Sequence, residues 1–215
     1  MTKFIILLIC IPLGISCSYN LINVFIDLCG NLETTHLFFL GGTIFSLIVV
    51  AIYRIQLTFF CVFEHELTHN IWSMFFFKKP MGFHVNTDGT GLFQYISGDS
   101  KFSDVFISLA PYFFPTVCFL WLPFHVMCKV EYYWFYFMMM GIFFGYHVMS
   151  TIHETNTKQT DITDHGVLYS YVTFIPLYAI FHGMILAHLN NGFEGIVNFM
   201  YYDNLENLQT LVHLF

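Results

Sequence analysis

Residues 61–70 read Cys-Val-Phe-Glu-His-Glu-Leu-Thr-His-Asn, so His65, Glu66 and His69 make an H-E-x-x-H pattern inside a long apolar stretch. On a helix, residues four apart share a face, and two imidazoles placed that way can meet one tetrahedral zinc ion. Glu66, one step round the helix, is placed to hydrogen-bond a water polarised by that metal and to take its proton. Chance alone yields the pattern in about one of fifty chains of this composition. Ionisable groups in an apolar helix are costly, which favours a functional reading over a hydrogen-bonded pair of histidines. Glu64 lies one residue upstream of the motif, so its side chain is expected to turn away from the metal and into the bundle.

Catalytic zinc takes three protein ligands and leaves one position open. The richest polar stretch elsewhere runs from His153 to Gly166, between two apolar segments. Asp161 is the expected third ligand, with Asp164, His153 and Glu154 as alternatives and a solvated loop as the plain reading. His125, His147, His182 and His188 lie in or at the ends of apolar segments and read as hydrogen-bonded bundle residues. None of the six cysteines forms a C-x-x-C pair. They are expected to be mostly buried thiols, with Cys29 and Cys128 pairing only if both face an oxidising compartment.

The elements that must position these groups are set by composition. The chain has 215 residues, 57% of them hydrophobic and 10% charged. That is more apolar surface than one soluble core hides, and the remainder requires lipid. Apolar segments at 4–28, 37–77, 103–127, 132–153 and 166–188 predict an all-α polytopic membrane protein of about five transmembrane helices. The second is roughly twice the length a bilayer needs. It carries no Gly, Pro, Asn or Asp between Thr43 and His65, so it predicts one long or bent helix.

Between the second and third segments, Pro80, Gly82, Asn86, Asp88, Gly89, Gly91 and Gly98 punctuate short runs such as Gly91–Ser97. These predict a short β-hairpin or strand insert over 80–102 at the membrane interface. Lys3, Lys78, Lys79, Lys101 and Lys158 fall on one side of a five-span chain, which assigns that side to the cytoplasm. Lys129 is opposed. The tail over 190–215 has acidic residues but no Lys or Arg, and predicts an interfacial helix from Phe193 to Leu211. The chain reads as a single domain over 1–215. Seven basic against fourteen acidic residues leave no patch for nucleic acid.

With the motif in an apolar helix, a Gly-containing strand region after it, Leu109-Ala-Pro111-Tyr-Phe-Phe-Pro115 in the next span and a later Gln159-Thr-Asp161-Ile, the chain resembles the site-2 protease class of intramembrane zinc metalloproteases. It is similar to small forms without a PDZ domain. The likeness covers roughly 55–170, and the H-E-x-x-H is its specific part. It implies that Asp161 completes a site with His65 and His69, that Glu66 is the general base and acid, and that the Pro111–Pro115 stretch lines the cleft. It also implies a membrane-protein substrate cut in a transmembrane or membrane-proximal segment, in the cell (inner) membrane with the site toward the cytoplasm. One departure is that Ile162 follows Asp161 where the family often has Gly. An inactive helix-binding membrane protein and a metal-handling transporter are the competing readings.

Overall fold

The structure is a computed structural model that describes residues 2–86, 90–96, 101–156 and 159–203. Asp88, Gly89, Ser97, Gly98 and Lys158, and the tail beyond Asp203, lie outside the described residues. Helix α1 (Thr2–Gly30) is followed by α2 (Thr34–Phe75) and by the strands β1 (Pro80–Val85) and β2 (Gly91–Tyr95). Then come α3 (Lys101–Phe113), α4 (Thr116–Trp121), α5 (Phe124–Met127), α6 (Tyr133–Glu154), α7 (Thr160–Thr163) and α8 (Val167–Val197). Among the described residues, four helices are long and apolar enough to cross a membrane: Ile6–Gly30, Thr34–Tyr53, Val130–Glu154 and Val167–Tyr201. A fifth arises if α3 and the helix after it form one bent span.

The pairing is nested. α1 packs along α8, and α2 packs along α6, the inner pair. The inner seam is tight because Gly141 and Gly145, one turn apart on α6, bring the two backbones together. A Cβ on Gly141 would sit 2.0 Å from the Phe39 carbonyl oxygen, and one on Gly145 would sit 2.6 Å from that of Thr43. This is the small-x-x-x-small logic of helices packed in lipid, where close van der Waals contact replaces the hydrophobic drive. Two of the apolar clusters are large, and a smaller one joins Cys17 to Ala179 and Ile180. One large cluster joins Ile6 and Cys10 to Leu109, Tyr112, Ile162 and Phe174. The other joins Leu28 and Phe39 to Cys118, Tyr136, Leu186 and Phe199.

Three sequence expectations change in detail. The long segment is two helical stretches joined across a kink at Tyr53, which has φ −105° and ψ 25°, so it takes the bent form of the expected helix. The 103–127 segment is broken, with α3 and the following helix bent by 83° at Pro115, which has no N–H to continue the ladder after Phe114 donates to the Ala110 carbonyl. The tail does not lie as a separate interfacial helix over its described part. Asn191 and Gly192, the latter at φ +59°, reverse the chain, and Phe199, in the helical turn Asn198–Asp203 that follows α8, is fully buried against Gly183 of α8. The hairpin forms as expected, antiparallel with Phe83 opposite Phe93, and with an irregularity between Pro80 and Gly82. All six cysteines are free, with Cys10, Cys17 and Cys118 buried and Cys29 exposed.

Candidate metal centre

The second half of α2 presents His65 and His69 one turn apart, and α7 brings Asp161 to them from the connection between α6 and α8. Asp161 Oδ2 lies 3.2 Å from His65 Nε2 and 3.4 Å from His69 Nε2. The ligand atoms of the three residues all fall within 4.8 Å of one another, and among the described residues this is the one such group able to hold a metal ion. Donor atoms bound at about 2.0–2.2 Å to one tetrahedral ion lie roughly 3.3–3.6 Å apart, and the two separations from Asp161 to the imidazoles, 3.2 and 3.4 Å, are close to that range.

The histidines are held from behind in the way metal ligation requires. His65 Nδ1 is 2.9 Å from the Glu154 carboxylate, and His69 Nδ1 is 2.7 Å from the Ile107 carbonyl. Both partners are acceptors, so each Nδ1 carries the proton and each Nε2 keeps its lone pair for the cleft. Ser150 donates to the other oxygen of Glu154 at 3.3 Å. Tyr112, fully buried, donates to Asp161 Oδ2 at 3.4 Å and sets its ring edge-on to His65. The donor set of two imidazoles and a carboxylate is that of a catalytic zinc site.

These groups open onto a cleft of about 270 Å³, lined by Glu66 with β2, by Ile107 and Ser108 of α3, and by Gln159 and Thr160. β2 comes this close to α2 because Gly91 has no side chain. A Cβ there would fall 2.5 Å from both Glu66 Oε1 and Val62 Cγ1. Phe93 stacks on the His69 ring at 6.3 Å, and Tyr95 stacks in turn on Phe93 at 5.9 Å. Tyr95 ends the row by donating to Asp104 Oδ1 at 3.2 Å, and Lys78 Nζ sits 3.9 Å from the same oxygen. Burial, with Asp104 beside it, pushes the Tyr95 phenol well above its ordinary value and keeps it a donor.

The residues named from sequence sort cleanly in space. His65, Glu66, His69 and Asp161 line one cleft. Asp164 is exposed at the end of α7 and does not join them. Glu154 reaches the Nδ1 side of His65, so it is a partner of a ligand atom's ring and not one of the converging group. His153 also stays outside that group. Glu64 turns away, as expected, toward His147 at 3.6 Å on α6. His182 donates to the Tyr178 carbonyl, and His188 meets the Tyr136 hydroxyl at 3.1 Å. The Pro111–Pro115 stretch does not line the cleft. α3 contributes Ile107 and Ser108 instead, and Tyr112 acts from behind.

No protein-family model, curated protein or solved structure matches this chain. The site is therefore read from its own atoms.

Proposed function

We propose that this chain is a multi-pass membrane zinc metallopeptidase, similar in chemistry to the site-2 protease class, that hydrolyses peptide bonds in transmembrane or membrane-proximal segments of other membrane proteins. The observation that carries this reading is the convergence of His65, His69 and Asp161 in a cleft that Glu66 also lines. Four long apolar helices support residence in the bilayer. The lysines of the connections on the cleft's side support a cytoplasmic orientation.

When bound, zinc supplies Lewis acidity toward water and the scissile carbonyl. The chain supplies the rest. His65 and His69 would hold the ion through Nε2, with Nδ1 of each turned to Glu154 and the Ile107 carbonyl, and Asp161 would add the carboxylate. Glu66 takes the proton of the attacking water and returns it to the leaving amine. The hairpin closes one wall and, through Gly91, sets the Glu66 carboxylate against the cleft.

The test is Glu66→Gln in purified, reconstituted protein. Its amide cannot accept the proton, so it is expected to retain zinc while chelator-sensitive cleavage of a reconstituted membrane substrate disappears. Retained turnover removes Glu66 from the role. A helix-binding or metal-handling protein would show no hydrolysis to lose.

A further inference from the structure

The level of the cleft along the bundle limits what can enter it. The apolar stretch of α1 starts at Ile6, which packs in the same core as Ile162, the neighbour of Asp161. The apolar stretch of α6 stops at Glu154, whose carboxylate holds His65. That of α8 begins at Val167, and Ser170 in its first turn donates to the Ile162 carbonyl. The remaining walls, β2 and α7, lie between apolar stretches. The metal cluster is thus level with the edge of the apolar slab and not with its middle.

The lining agrees. Tyr95, Ser108, Gln159 and Thr160 line the cleft beside Glu66 and Asp161. An apolar helix has its backbone groups already paired and would strip water from these side chains without replacing it. An extended peptide brings free N–H and C=O groups. By contrast, the two apolar cavities of about 420 and 370 Å³ along the α2–α6 seam contain no member of the metal cluster.

Building on the peptidase reading, we infer that the substrate is an extended peptide at the membrane boundary, entering from the headgroup and water side, and not the centre of a transmembrane helix. The test uses the full zinc-loaded chain in phosphatidylcholine vesicles with two single-span substrates that share one short Gly- and Asn-containing cassette. One carries it just outside the apolar stretch, and the other carries it at the centre. The boundary substrate is expected to be cut at least about tenfold faster at equal occupancy. Equal or faster cutting at the centre overturns the inference.

A second arm needs no turnover. In zinc-loaded Glu66→Gln, a photoreactive residue in the cassette is expected to crosslink to Leu92 or Ser108 from the boundary position only. Crosslinks from the centre, or from neither, overturn the inference. Boundary crosslinks without any cleavage by the unmodified chain leave the inference standing and remove the peptidase reading.

Discussion

The two halves of α2, on either side of Tyr53, do opposite work. The first half is apolar and meets α6 through backbone contact at Gly141 and Gly145, while His36 near its start turns to the Leu189 carbonyl of α8. The second half carries Glu64, His65, Glu66 and His69 and meets α6 through side chains, Glu154 and His147 among them. Where backbones touch, shape fixes the geometry and little can be exchanged. Where side chains touch, hydrogen bonds set the tautomer and aim of each ligand. The kink lets the two modes coexist, because the second half need not follow the line dictated by the glycines.

The largest expected effect tests the polar half. His65→Ala or His69→Ala should abolish stoichiometric zinc, read by metal analysis of purified protein. Full zinc in both variants would move the site elsewhere. Next comes the third ligand. Asp161→Asn should lower zinc affinity far more than Asp164→Asn, because an amide is a poorer zinc ligand than a carboxylate. The reverse order would transfer the role to Asp164.

Gly91→Ala should keep zinc yet lower kcat by about 10²-fold, since a displacement of about 1 Å at the general base is worth that much. Unchanged kcat would show that the hairpin does not position Glu66. Glu154→Ala should weaken zinc by about 10–100-fold without removing it, the range for a partner that orients a ligand. Total loss would instead make Glu154 a ligand. The smallest effect on the site belongs to the apolar half. Gly141→Ala should cost about 1–3 kcal/mol of stability by pressing a methyl group on the Phe39 carbonyl. Zinc affinity of the folded fraction should be unchanged, and a matched loss of zinc would show that the kink couples the halves.

Much of the site is legible in the sequence because its signals are local. Four-residue spacing places His65 and His69 together, and Glu66 follows from the same helix. Asp161 is readable as a carboxylate in the one polar stretch of the right kind, although its approach to both imidazoles is a tertiary fact. Nothing local marks the Ile107 carbonyl or Tyr112 as partners, since each acts from another helix through a single atom. Glu154 has the chemistry of a ligand in the sequence, and only packing shows that it faces Nδ1. Tyr53 carries no breaker signature, so the kink has no sequence cue beyond the length of the segment. Gly141-x-x-x-Gly145 did carry a cue to the seam, one that a reading centred on ionisable groups passes over.

The nested pairing of α1 with α8 and α2 with α6 bears on biosynthesis. A nascent chain inserts its helices in order, so α1 and α2 enter the bilayer long before the partners that bury them exist. Until α6 emerges, the Phe39 and Thr43 carbonyls face lipid with no glycine ridge to meet them. Until α7 follows, two imidazoles wait without their carboxylate. The candidate centre of His65, His69 and Asp161 can therefore come together only after three quarters of the chain has been made, so an interrupted chain cannot complete it.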